Sequence, residues 1–71
     1  MRTYTIKAMH QSDGHEDYCE FLATALGEAL MMAERAYAGH ATVILGILPE
    51  DYDLAVSEGI AFNQADGLLV D

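Results

Sequence analysis

The stretch Gln11-Ser12-Asp13-Gly14-His15-Glu16-Asp17-Tyr18-Cys19-Glu20-Phe21-Leu22-Ala23-Thr24-Ala25 decides the fold, because it admits two readings with different consequences. In the first, Asp13-Gly14 is a turn between two strands, since Asp-Gly is a strong short-range hairpin signal and Gly tolerates positive φ. The returning strand, Glu16 to Ala23, then carries Cys19, Phe21 and Ala23 on one face and Glu16, Tyr18 and Glu20 on the other. In the second, Asp13 and Glu16 form a capping box, and one helix runs from Gly14 to Ala38 with Tyr18, Leu22, Ala25, Ala29, Met32 and Ala36 on one face. The hairpin is preferred. Such a helix approaches the upper end of usual lengths and leaves the preceding strand without its sequential partner.

That preceding strand is legible from Thr3 to Met9, where Tyr4, Ile6 and Ala8 alternate with Thr5 and Lys7. Downstream, Ala25 to Ala38 is rich in Ala, Leu, Met and Glu, with Leu26, Ala29, Leu30, Ala33, Ala36 and Tyr37 at helical spacing. Thr24 is the expected N-cap, and Glu28, Arg35 and Gly39 stand where a first-turn acid, a last-turn base and a terminating glycine belong. Met31 and Met32 are adjacent on this helix, so only one points fully into the core.

Ala41 to Leu48 is apolar on both faces and β-branched in its first half, which predicts a central strand stopped by Pro49. Glu50 to Glu58 reads as a short helix or an acidic loop, ended by Gly59. Ile60 to Asn63 and Leu68 to Val70 flank a second Asp-Gly, Asp66-Gly67, and predict a closing hairpin. The expected architecture is therefore a single α+β domain of order ββαβ, its one main helix on one face of an antiparallel-rich sheet. Phe21, Leu26, Leu30, Ala33, Val43, Leu45 and Ile47 are its candidate core.

The chain has 71 residues, too few for a second domain. Its hydrophobic fraction of 52% sets it apart from disordered, highly charged segments. Three basic residues face twelve acidic ones, a net charge of −9. Arg2, Lys7 and Arg35 are scattered, so a basic stripe for nucleic acid is missing, and anionic membranes are disfavoured by the same sign. The lone Cys19 cannot form an internal disulfide, no apolar leader opens the chain, and the longest apolar run is far short of the roughly 20 residues of a membrane span; a cytoplasmic protein is expected.

Candidate chemistry is sparse. His10 and His15, with Asp13, Glu16 or Asp17, offer donors suited to zinc or nickel, but not in the spacing of a known closed site. Glu50, Asp51 and Asp53 lack the glycine of a calcium loop, whose place Val56 holds. Cys19 sits among Asp17 and Glu20, which disfavour a thiolate, and reads as a packing residue. With no phosphate loop, no nucleophile elbow and no base placed to hold an oxyanion, neither enzyme chemistry, metal nor cofactor is expected.

Acidity serves solubility in many small domains, yet it also steers association with basic surfaces. Spread evenly over an accessible surface of roughly 4,300 Å², the charge amounts to roughly one per 480 Å². Duplex DNA carries about one per 110 Å², about four times denser, so mimicry of a polyanion demands clustering. Two clusters exist in sequence: Asp13, Glu16, Asp17, Glu20, and Glu50, Asp51, Asp53, Glu58. These eight are the candidate partner-binding residues.

In size, charge and element order, with the helix opening Thr24-Ala25-Leu26-Gly27-Glu28-Ala29-Leu30 and the strand Thr42-Val43-Ile44-Leu45-Gly46-Ile47, the chain resembles the small acidic anti-CRISPR inhibitors of type I systems carried by phages and mobile elements. That resemblance implies a non-enzymatic inhibitor, monomer or small homo-oligomer, that occupies a basic DNA-contacting surface of the surveillance complex. An antitoxin-like or regulatory module docking through an apolar patch around Met31, Tyr37 or Phe62 is the alternative reading.

Overall fold

A computed structural model describes residues 1–40 and 42–70; Ala41, where the third strand was expected to begin, lies outside the described residues. Two strands, β1 (Arg2–His10) and β2 (Glu16–Ala23), form the expected hairpin, in unbroken antiparallel register from Arg2 opposite Ala23 to Met9 opposite Glu16. The turn works because Gly14 adopts φ +74°, where a Cβ is disfavoured, while its N–H bonds the His10 carbonyl at 2.8 Å. Asp13 Oδ1 accepts from the His15 N–H at 2.9 Å, an Asx-type bond that fixes the return of the chain. The long helix from Gly14 is thereby set aside: period-two burial extends through β2, and helical burial begins only afterwards.

Helix α1 (Leu26–Ala36) follows and buries Leu26, Ala29, Leu30 and Ala33, an i, i+3, i+4, i+7 stripe. Met32 is half-buried and Met31 is exposed, as their adjacency requires. The expected Thr24 cap is not formed. Thr24 Oγ1 donates to Glu28 Oε2 at 3.0 Å, and the cap position is Ala25, whose side chain has no acceptor.

Strand β3 (Val43–Ile47) pairs antiparallel with β1, giving the order β2-β1-β3. The middle strand is therefore β1, a correction to the expectation for the apolar 41–48 run. The returning chain bonds to the outer edge of β3, with Ile47 N–H to Gly67 O and Leu69 N–H to Leu45 O, both 2.9 Å, and lays Leu68 against Gly46. The same segment forms the closing hairpin, with Phe62 bridged to Leu69. Gly67 is obligatory here, since at φ +75° an added Cβ would stand 2.5 Å from the Ile47 carbonyl oxygen.

Pro49–Asp51 is a single 3-10 turn, followed by helix α2 (Tyr52–Ser57), so the acidic 50–58 segment is helical. One face of the sheet carries Tyr4, Ile6, Ala8, Ala23, Leu45 and Ile47, packed with the α1 stripe and Ala55 of α2 into one core. Five of those core residues are fully buried alanines, Ala8, Ala23, Ala29, Ala33 and Ala55, which bring helix and sheet backbones close. Ile6, Leu26 and Ile47 are the largest fully buried side chains, each stabilising by about 1.5–3 kcal/mol. Phe21 and Val43, expected in the core, are half-buried at its margin.

Candidate functional site

Helices cover one face of the sheet, and the strand pleat sends every second residue of β1 and β2 to the other. On β2 these are Glu16, Tyr18, Glu20 and Leu22, all exposed, with Tyr18 at 55% and Leu22 at 58%. Opposite them on β1 stand Met9, Lys7, Thr5 and Thr3 respectively. Lys7 lies down across the sheet, its side chain only 12% exposed, donating to the Asp66 carbonyl with Nζ 3.8 Å from Glu16 Oε2. The Tyr18 hydroxyl donates to Glu16 Oε1 at 3.2 Å, and the Glu16 charge pushes the phenol pKa above its ordinary value. The open face is thus a row of two carboxylates alternating with two large apolar side chains on an edge strand.

The first acidic cluster is divided by the pleat. Glu16 and Glu20 are on the open face, whereas Asp17 is on the helix side, where Oδ2 and Oδ1 accept from His10 Nε2 and His15 Nε2, each at 2.8 Å. An ionised carboxylate only accepts, so both imidazoles donate through Nε2. The His10 bond, with His15 adding to it, holds the Asp17 carboxyl below its ordinary value against a smaller opposing effect of burial. Asp13 closes the turn.

The second cluster loses one member to the interior and has another engaged by backbone. Asp51 is buried at 6% exposure, its Oδ1 2.7 Å from Arg2 Nη2, and the Arg2 guanidinium also covers the Tyr4 ring. Glu58 is spent on backbone: Oε2 accepts from Leu26 N–H at 3.0 Å and Oε1 from Gly27 N–H at 2.9 Å, capping α1. Asp51 is therefore internal, while Glu50, Asp53 and Glu58 remain exposed, Glu58 with both carboxylate oxygens engaged by backbone N–H groups. Because β3 runs from the His10 end of β1 toward the Arg2 end, Glu50 and Asp53 lie at the opposite end of the sheet from Asp13. The eight acids make no single plate.

Behind the hairpin, Cys19 Sγ is 3.0 Å from the Tyr37 hydroxyl, and His10 and His40 each meet the Tyr37 ring edge-on. The bond with Cys19, then burial, then the nearby thiol and Asp17 charges raise the Tyr37 pKa to about 12. Cys19 thus contacts a phenol, and its nearest polar partner is no general base. Among the described residues no group of three His, Cys, Asp or Glu is arranged to hold a metal ion. A half-open groove of about 450 Å³ runs beside this cluster, between Glu34, Tyr37 and His40 on one side and Val43, Ile44 and Leu69 on the other.

Of the apolar trio Met31, Tyr37 and Phe62, only Met31 is exposed; Tyr37 and Phe62 are half-buried, Phe62 against Tyr52 at 4.8 Å between ring centroids. Tyr18 and Leu22 are the large apolar side chains that face outward beside carboxylates on the sheet. Their signal was the alternation of β2 itself, with both residues at the even positions of a strand whose odd positions turn inward.

No helix among the described residues is long and apolar enough to cross a membrane. Comparison with protein-family models, curated proteins and solved structures finds no match to the chain.

Proposed function

We propose that this protein acts by occupancy, laying the open face of β2 on a basic surface of a protein partner that otherwise holds nucleic acid. A type I CRISPR surveillance complex is the partner that the resemblance in size, charge and element order implies. The observation carrying the proposal is the exposed row Glu16, Tyr18, Glu20, Leu22, in which carboxylates flank two large side chains with area to bury. Interfaces concentrate their energy in such aromatic and apolar anchors, while surface charge opposite in sign to the partner's accelerates and orients the encounter. A net charge of −9 supplies that steering toward a basic partner.

The contact set is accordingly Glu16, Tyr18, Glu20 and Leu22, with Asp13 at the hairpin tip. Glu50 and Asp53 belong to the far end and contribute long-range field only. The test compares Glu16→Lys/Glu20→Lys with Glu50→Lys/Asp53→Lys, which change net charge equally. Loss of effector inhibition in the first pair alone, with unchanged circular dichroism, supports the proposal; equal effects of the two pairs reduce the role of the acids to net charge and overturn it. An apolar docking module is the second reading, favoured by the exposure of Tyr18 and Leu22. It predicts binding nearly independent of ionic strength, whereas the electrostatic reading predicts steep weakening with salt.

A further inference from the structure

The two edges of the sheet are finished differently. The outer edge of β3 is bonded by the chain's own return through Gly67 and Leu69, while β2 has one hydrogen-bonded neighbour, β1, and no backbone partner on its outer side among the described residues. At eight residues β2 spans about 27 Å, longer than most strands. Of the usual protections it carries only charge: its sequence, Glu16-Asp17-Tyr18-Cys19-Glu20-Phe21-Leu22-Ala23, holds no proline, glycine or lysine, and its register with β1 has no bulge. Its only charges are Glu16, Asp17 and Glu20. Those charges select the occupant, because a second copy of the chain brings another −9 to the same edge and is repelled.

Resting on the function proposed above, we infer that β2 receives an extended, basic segment of the partner as an added strand. Every second residue of an edge strand turns its N–H and C=O outward, so backbone bonds supply sequence-independent affinity. Directly opposed side chains in such a pair stand about 4.5–5.5 Å apart, which sets the specificity. On the open face the added strand meets Glu16, Tyr18, Glu20 and Leu22 in turn, so its best complement alternates Lys or Arg with Val, Ile or Leu at every second residue. Asp17 lies on the helix side with its two oxygens engaged by His10 and His15, so the incoming strand does not meet it on the open face.

The test uses the full chain and an eight-residue peptide with Lys and Val alternating on one face, beside two versions N-methylated at alternate residues in either register. Methylation leaves charge and side chains intact and removes backbone donors. The expected result is slowed amide exchange at alternate residues of β2 on adding the parent peptide, and at least tenfold weaker binding of one methylated version. Equal binding of all three peptides, or chemical-shift changes confined to open-face side chains, overturns strand addition and leaves face-on docking standing. Failure of every peptide to bind also overturns it, while the Glu16/Glu20 inhibition assay separately decides the proposed function. A concentration-dependent dimer protecting the same amides overturns the basic occupant in favour of a second copy.

Discussion

The Glu58 carboxylate accepts the Gly27 backbone N–H at 2.9 Å from 31 positions further along the chain. With its other oxygen on Leu26, it satisfies two of the donors that a helix start leaves open, and sets a negative charge at the positive end of the α1 dipole. Glu58→Ala is expected to lower stability by about 0.5–2 kcal/mol in urea unfolding, the range for losing a helix cap. Thr24→Ala should cost less, because Thr24 reaches Glu28 and caps nothing. The reverse order would contradict a tertiary cap.

Gly27 tests the same bond from the other side. A Cβ added there would stand 3.3 Å from Glu58 Oε1. In a Glu58→Ala background, Gly27→Ala should recover the helix-propensity gain of about 1 kcal/mol. With Glu58 present the gain should be smaller, since the carboxylate must shift. Equal gains in both backgrounds would show that the cap tolerates the methyl group.

Arg2 and Asp51 join chain segments 49 positions apart through one 2.7 Å bond. Asp51 is nearly inaccessible, whereas the Arg2 side chain is 56% exposed, so solvent screens the pair from one side. Arg2→Ala is expected to cost about 1–2 kcal/mol, chiefly by stranding a buried carboxylate. Adding Asp51→Asn should then restore part of the loss. Strict additivity of the two changes in a double-mutant cycle would rule out coupling.

At low pH the hairpin tip should loosen first. Asp17 has a folded pKa below its unfolded value, so its contribution is present above the unfolded pKa and disappears as pH falls through the folded one. Amide protection near His10 and His15, taken relative to the intrinsic exchange rate at each pH, should fall below pH 4 in the native protein and not do so in Asp17→Asn. An unchanged profile in the variant would assign the loosening to another group.

At high pH the sign reverses. Tyr37, raised to about 12, favours the folded state fully below the unfolded tyrosine pKa near 10 and loses that contribution as pH rises through 12. Absorbance titration should therefore find one phenol ionising last, and Cys19→Ala should bring it down toward the others. Persistence of the late transition in that variant would remove the thiol as its main cause.

The elements were legible where a residue's neighbours along the chain set its environment. Asp13-Gly14 fixed a turn, and the alternation of Tyr4, Ile6 and Ala8 fixed a face. The same alternation in β2 placed Glu16, Tyr18 and Glu20 together, so the open row was readable from the sequence. Thr24 misled because a local acceptor was assumed to satisfy the helix start, and the 41–48 run misled because two buried faces were equated with a central position.

Sequence by itself determined the strand periods, the main helix, both Asp-Gly turns and the excess of negative charge, since each depends on spacing or composition over a few residues. Tertiary structure alone decided how these acids are engaged: Asp51 is turned inward onto Arg2, and the exposed Glu58 is held by the start of α1, partners 49 and 31–32 positions away. It also left the edge of β2 open while closing that of β3. The physical reason is that a carboxylate's fate depends on the donors it meets in space, and chain folding brings those donors from positions that no local pattern records.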